Sequence, residues 1–231
     1  MRRSVERGKG KWITGYPDLH SGIDALSAIR RSDRLSMDLL LNPEPVRRAM
    51  RQMTQLFKDV VDETSRIILP AGQGTSNWTM GWSAQKFLCI GQNDFSCMIG
   101  PEMFREFLLD DTLETTHYVE RSLYHLDGPN ATQHLLTLCE IERLNGIQWV
   151  PGDGYLGAAR WIPLMRKIQA AGKLLTMCPA TAEDALICCR ELDIRSLYLW
   201  VFDLKTSEEA EGLFKEIKKI CAARREPHVS T

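Results

Sequence analysis

Short apolar segments alternate with amphipathic segments of helical periodicity through most of this chain. The apolar segments are bounded by turn residues and cover residues 86–90, 121–126, 147–150, 173–177 and 196–202. Short, nearly continuous apolar runs that are separated by helices are typical of buried parallel strands. From residue 121 onward, strands and helices alternate strictly, which predicts an α/β fold with right-handed crossovers.

Helix starts are marked by capping signals. Asn42 is followed by a proline and a glutamate, and apolar residues then recur at helical spacing to about residue 66. Thr181 with Asp184, and Thr206 with Glu209, have the spacing of a capping box. Two further helices are predicted to begin near Pro101 and near Leu156. The helices therefore separate the apolar segments, as the α/β pattern requires.

A closed barrel and an open doubly wound sheet both fit this order. No glycine-rich dinucleotide fingerprint follows any predicted strand, which weakens the nucleotide-binding open sheet. The glycine-rich segment 72–76 lacks the lysine of a phosphate loop. A closed barrel of this kind needs eight strands, whereas the sequence predicts five, with a sixth near Trp12.

Charge and cysteine content exclude several classes of protein. The 231 residues carry 29 basic and 30 acidic side chains, a net charge of −1, so neither nucleic acid nor an anionic membrane is expected as a partner. No apolar stretch approaches the length of a membrane span. Seven cysteines form no recognisable disulfide framework, which favours a reducing cytoplasm.

The expected domain organisation is simple. Residues 1–11 carry five basic side chains and one glutamate, and they are predicted to form a disordered basic terminus. Residues 12–224 are predicted to form a single barrel domain, and residues 225–231 a tail. The chain is long enough to bury a core without disulfide or metal staples.

Polar residues follow the predicted strands, where parallel α/β barrels place their chemistry. Asp94 follows the first strand, directly after Gln92 and Asn93. His125 and Asp127 lie two residues apart on the next strand and so point the same way. Histidine and carboxylate side chains at strand ends can bind a divalent metal or transfer protons. Trp149, Asp153 and Cys178 follow on the later strands and can line the same barrel mouth.

Each candidate also has a structural interpretation. Asp127 precedes a glycine and can serve as a turn residue or helix cap, and Asp94 can form an Asx-turn. Asp153 lies between two glycines, where turn chemistry is the favoured interpretation. Burial is the favoured role for Cys178, and filling of a barrel layer is the favoured role for Trp149.

The segments YHLDGPNATQHL at residues 124–135 and GIQWVPG at 146–152 resemble the uroporphyrinogen decarboxylase superfamily. The segments NDFS at 93–96 and IGPEMFREF at 99–107 extend the resemblance, which covers roughly residues 12–220. This superfamily also contains cobalamin-dependent and coenzyme M-type methyltransferases. The resemblance implies a TIM-type (β/α)8 barrel that binds a small-molecule substrate at its C-terminal mouth.

The chain departs from the family pattern in two ways. It resembles only the C-terminal two-thirds of the family, which implies a barrel that is incomplete at the N-terminus. The methyltransferase branch binds zinc through a His-x-Cys pair and a later cysteine, whereas this chain has His125-x-Asp127 and no later cysteine at the matching strand. Cys178 lies one strand too early to match the family ligand.

The resemblance therefore implies one of two reactions. In decarboxylation of a porphyrinogen-like substrate, no cofactor is needed and Asp94, His125 and Asp127 are catalytic. In corrinoid-linked methyl transfer, the expected zinc ligands are His125 and Asp127 with Cys178, and the expected partner is a corrinoid protein. In both cases the expected substrate-binding residues are Gln92, Asn93, Trp149 and Asp153. The alternative hypothesis is a non-catalytic or incomplete barrel that acts as a subunit of a homo-oligomer.

Overall fold

The structure is a computed structural model that describes residues 1–224 of the chain. Its contacts divide the chain into two compact units, Met1–Asn145 and Gly146–Thr231, where the sequence predicts one domain over residues 12–224. The predicted tail, residues 225–231, lies outside the described residues.

The first unit begins with helices and ends with two strands and their following helices. Four helices come first: α1 (Arg2–Gly8), α2 (Gly22–Arg30), α3 (Ser32–Leu41) and α4 (Pro43–Ile68). A short antiparallel hairpin joins β1 (Thr75–Ser76) and β2 (Trp82–Ser83). The remaining elements are β3 (Phe87–Gln92), α5 (Pro101–Met103), a π-helical turn (Phe104–Leu108), α6 (Leu109–Tyr118), β4 (Arg121–Asp127), α7 (Gly128–Ala131) and α8 (Leu135–Glu140). β3 and β4 pair in parallel.

The second unit repeats the strand-helix alternation. Its elements are β5 (Gly146–Val150), α9 (Ala158–Ala170), β6 (Leu174–Ala180), α10 (Ala182–Glu191), β7 (Leu197–Val201) and α11 (Ser207–Ala223). β6 pairs in parallel with both β5 and β7. Thr181 and Thr206 each accept a hydrogen bond from the backbone N–H three residues later, so both predicted capping boxes are confirmed.

The mixed α/β class is confirmed, and all five predicted strands are present within three residues of their expected ends. The prediction of a sixth strand near Trp12 is wrong, because residues 12–20 form no strand in the structure. The segment predicted to be a disordered terminus contains helix α1. Side-chain contacts with the following residues hold this helix in place. Ser4 Oγ lies 2.8 Å from Thr14 Oγ1 and accepts a hydrogen bond from the Trp12 indole at 3.2 Å.

Helix α4 illustrates how the helices of the first unit pack. It begins with Pro43, which needs no N–H partner at the first helical position, and runs for 26 residues. Val46, Met50, Phe57 and Val61 are buried at helical spacing, while charged residues occupy the opposite face. Within residues 1–224 no helix has both the length and the apolar character that crossing a membrane requires.

A buried carboxyl group links α2, α4 and α6. Asp111 Oδ2 lies 3.2 Å from Ser21 Oγ, and Asp111 Oδ1 contacts the Thr54 hydroxyl. Each hydroxyl has a single proton and a second acceptor within reach, the carbonyl oxygen of Ile90 or of Met50. Burial raises the pKa of the Asp111 carboxyl, because the charged form loses its hydration. The hydrogen bonds from Thr54 and Ser21 oppose this shift, but burial outweighs them.

This environment predicts a specific pH dependence of stability. The folded-state pKa of Asp111 is above the unfolded value, so the contribution of this group to stability is complete below the unfolded pKa, near pH 4. It is lost as the pH rises through the folded pKa. Urea unfolding of the protein and of Asp111→Asn over a pH series measures this contribution as a difference. We expect the stability advantage of the wild type over Asp111→Asn to shrink as the pH rises, and an advantage that grows with pH would contradict the assignment.

Candidate metal centre

The carboxyl ends of β3 and β4 bring together three potential metal ligands. His125 and Asp127 are two residues apart on β4, so both side chains lie on the same face of the strand. Asp94 begins the 3₁₀ turn Asp94–Met98, which is separated from β3 by Asn93 alone. Because β3 and β4 are parallel neighbours, their carboxyl ends lie side by side. One ligand atom from each of these three residues lies within 4.8 Å of the other two.

The distance between Asp94 and His125 is close to that between two ligands of a divalent metal. Asp94 Oδ1 lies 3.6 Å from His125 Nε2. Two ligands of a tetrahedral zinc, each bound at about 2.1 Å, are separated by about 3.4 Å. Three protein ligands with a fourth position left open to solvent or substrate are the usual pattern of catalytic zinc. The His125 side chain is 12% exposed and that of Asp94 is 50% exposed, so the cluster opens to solvent on the Asp94 side.

A bulge in β3 directs Gln92 towards this cluster. Cys89 pairs with Leu123 and Gly91 with Tyr124, so Ile90 is an extra residue on the β3 side. After the bulge, Gln92 is paired with His125, and paired residues of neighbouring strands have side chains on the same face. Without the extra residue, the alternation along β3 would turn Gln92 to the opposite face.

Trp78 joins His125 to a buried apolar group. Phe87, Cys89 and Leu123 form a buried group against which Trp78 packs. The Trp78 ring meets the His125 ring edge-on, with centroids 5.3 Å apart and an interplanar angle of 77°. These contacts restrict the orientation of the imidazole and exclude water from one side of it.

The structure bears on the alternative roles of the two aspartates. Asp127 occupies the N-cap position of α7, but its side chain makes no capping hydrogen bond. The turn that begins with Asp94 likewise has no side-chain cap from its own N-cap residue, Asn93. The Asp94 carboxylate faces His125, and Asp127 lies within reach of both residues.

The surroundings of Asp94 shift the pKa of its carboxyl group upward. Burial raises the pKa of the Asp94 carboxyl, and the negative charges of Asp24 and Asp127 act in the same direction. The nearby imidazoles of His125 and His20 oppose this shift. A bound cation would reverse the balance, because it stabilises all the carboxylates at once.

Two residues of the first unit, His20 and Asp24, adjoin the cluster but were not predicted as site residues. His20 Nδ1 lies 3.4 Å from Asp24 Oδ2, and this hydrogen bond is the main reason that the pKa of His20 is raised. Ser21 and Asp24 have capping-box spacing, which could have marked the start of α2. The Ser21 side chain, however, makes no capping bond.

Two buried amide side chains lie beside the cluster. Gln92 is 8% exposed and Asn93 is 3% exposed. Within the part of the chain that the structure describes, Gln92 Oε1 has no hydrogen-bond partner, and the Asn93 side chain lies beside the Tyr124 hydroxyl without a well-aligned hydrogen bond. An unsatisfied buried polar group is costly, so a bound ligand or water that pairs with these groups would be stabilised here. The predicted substrate-binding role of both residues stays a prediction.

The other predicted site residues belong to the second unit. Trp149 is fully buried in β5 and packs against Trp161, with ring centroids 4.7 Å apart. Asp153 is exposed in the turn between Gly152 and Gly154, both of which have positive φ, as tight turns often require. Cys178 is partly buried in β6, and burial raises the pKa of its thiol, which disfavours the thiolate that a metal needs. Their roles in binding substrate or metal stay predictions.

Comparison of the chain with protein-family models, with curated proteins and with solved structures finds no match.

Proposed function

We propose that this chain is a metal-dependent enzyme of the uroporphyrinogen decarboxylase superfamily whose chemistry takes place at Asp94, His125 and Asp127. The observation that carries the proposal is the convergence of these three side chains at the carboxyl ends of two neighbouring parallel strands. Active sites of parallel α/β barrels occupy this position. The five parallel strands and the resemblance of the sequence support a TIM-type barrel as the architecture to which they belong.

The donor set fits a divalent ion of borderline hardness. One imidazole nitrogen and two carboxylate oxygens suit zinc, although they lack the thiolates of the methyltransferase branch. When bound, zinc would act as a Lewis acid that lowers the pKa of a coordinated thiol or water. The involvement of a corrinoid protein rests on the sequence resemblance alone.

Each residue has a distinct task in this proposal. His125, which is held against Trp78, and Asp127 supply the buried side of the metal site. Asp94 lies at the open side, where it can complete the metal site or exchange a proton with substrate. Gln92 and Asn93, which directly precede Asp94 in the chain, are the residues assigned to orient the substrate. Methyl transfer to a thiol is the favoured reaction, because the methyltransferase branch of the superfamily requires a metal site.

Decarboxylation of a porphyrinogen-like substrate is the second candidate. The position of Asp94 at the open side of the cluster supports it, because a carboxyl group there can stabilise a positively charged intermediate or exchange a proton with the substrate. No metal is needed in this reaction. The two candidates therefore differ in their dependence on zinc.

The alternative function, a non-catalytic subunit of an oligomer, is supported by exposed apolar side chains in the second unit. Tyr198 in β7 is 42% exposed, and Phe202, which follows the strand, is 60% exposed. An exposed edge strand with apolar side chains can pair with another chain. In this hypothesis another copy of the chain is that partner.

Paired assays test the proposal. Zinc-loaded protein is incubated with methylcobalamin and 2-mercaptoethanesulfonate, and separately with a uroporphyrinogen, while demethylation of the corrinoid and release of carbon dioxide are measured. We expect thiol methylation that falls at least about tenfold after chelation, since zinc generates the reactive thiolate, and that recovers with added zinc. Decarboxylation that is insensitive to chelation would favour the second candidate. Absence of both reactions, together with a stable oligomer, would contradict the enzymatic proposal.

A further inference from the structure

We propose that Asp24 is a positioning residue that holds Asp94 in place for metal binding. This inference rests on the proposed metal centre and adds to it a residue 70 positions away in the sequence. Asp24 does not belong to the cluster of three ligands. Its carboxylate acts through the backbone of the turn that carries Asp94.

Both oxygens of the Asp24 carboxylate bind backbone N–H groups of this turn. The N–H of Asp94 donates to Asp24 Oδ2 at 2.9 Å, and the N–H of Phe95 donates to Asp24 Oδ1 at 3.0 Å. The Asp24 side chain is only 8% exposed, so these charge-assisted bonds are shielded from water. Asn93, the N-cap residue of the turn, provides no side-chain cap. Asp24 therefore caps the turn from a distant helix, α2.

The turn is also held at its other end. His134 Nε2 lies 3.0 Å from the carbonyl oxygen of Ser96, and its ring stacks on Phe104. Gln133 Nε2 donates to the carbonyl oxygen of Ile99 at 3.1 Å. With its far end fixed in this way, the turn depends on Asp24 for the orientation of its first residue, which is the ligand.

The position of Asp24 is itself well defined. It lies in the first turn of α2, which follows Ser21, and Ser21 is joined to the buried Asp111. His20 Nδ1 lies 3.4 Å from Asp24 Oδ2 on the side that faces the loop before α2. An asparagine at position 24 could accept only one of the two N–H groups, and its amide N–H would oppose the other.

Zinc affinity provides the test. The wild type, Asp24→Asn, Asp24→Glu and Asp94→Asn are titrated with zinc in competition with a chromophoric chelator, and with cobalt(II), whose visible spectrum reports ligand geometry. Asp38→Asn is the matched control, because Asp38 pairs with Arg30 on the surface at 2.6 Å, outside the site. We expect Asp24→Asn to weaken zinc binding by about 10- to 100-fold, the usual cost of losing an outer-shell partner, and to alter the cobalt spectrum. Asp24→Glu, which keeps the charge, should recover part of the affinity, and Asp38→Asn should match the wild type.

The outcomes separate this inference from the proposed function. If the wild type binds zinc through Asp94 and Asp24→Asn binds it equally well with the same cobalt spectrum, the positioning role is overturned. If the wild type binds no metal, the proposed metal centre fails, and backbone hydrogen exchange then tests the positioning role. Faster exchange at Asp94 and Phe95 in Asp24→Asn would then show that Asp24 orders the turn, although without a metal site to serve, and unchanged exchange would overturn the positioning role itself. If Asp24→Asn does not fold, the same comparisons are made with Asp24→Glu, for which a longer side chain predicts a smaller loss in the same direction.

Discussion

Replacing His125 by alanine is expected to weaken zinc binding by more than about 100-fold, because a direct ligand contributes more than the outer-shell partners whose loss costs about 10- to 100-fold. His125 is the only imidazole in the cluster of three candidate ligands among the described residues. Its 12% exposed side chain faces Trp78 rather than filling the centre of a packed core. The variant should therefore remain folded. Isothermal titration with zinc measures the loss, and circular dichroism checks the fold.

His117→Ala is the matched control for this substitution. His117 belongs to α6 of the same unit and is exposed. Its Nδ1 lies 2.7 Å from the carbonyl oxygen of Leu113 on the same helix. Zinc affinity should be unchanged in this variant. Equal affinities in His125→Ala and the wild type would exclude His125 as a ligand, whereas equal losses in both variants would indicate nonspecific histidine binding.

Replacing Gly91 by alanine is expected to lower the free energy of unfolding by about 3 kcal/mol, at the upper end of the usual cost of overpacking. A Cβ atom at this position would overlap the ring of Tyr124, which is 1% exposed and cannot move into solvent. The bulge that turns Gln92 towards His125 lies at the same point of β3. Any shift of the strand that relieves the overlap would also disturb the candidate site. Urea unfolding measures the loss of stability, and zinc titration of the folded fraction measures the effect on the site.

The same substitution at Gly212 is the control. Gly212 lies within α11, is exposed, and has open space where a Cβ would be placed. Alanine in a helix interior is favoured over glycine by about 0.5–1 kcal/mol, so Gly212→Ala should be neutral or stabilising. If both variants lost similar stability, the overlap with Tyr124 would not be the cause.

Local sequence signals were sufficient to predict most of the secondary structure. The five strands are continuous apolar runs between turn residues, and the capping boxes at Thr181 and Thr206 use contacts within four residues. Their formation depends on nearby side chains and on burial, both of which are visible in the sequence. Helices α2 and α3 were not predicted, since their apolar faces are short and interrupted.

The candidate site was predictable only in part, for a physical reason. The spacing of His125 and Asp127 places them on one face of any strand, so their proximity follows from local geometry. The contact between Asp24 and the backbone N–H of Asp94 joins elements 70 residues apart and depends on how α2 packs. The bulge at Ile90 likewise depends on pairing with β4. Neither feature has a local signal in the sequence.

X-ray absorption spectroscopy of the zinc-loaded protein tests the metal centre most directly. We expect about one zinc per chain, with nitrogen and oxygen ligands at about 2.0–2.2 Å, scattering from one imidazole, and no sulfur shell. These features should disappear in His125→Ala. A sulfur ligand at about 2.3 Å would contradict the proposed ligand set, and failure to retain zinc would contradict the metal centre altogether.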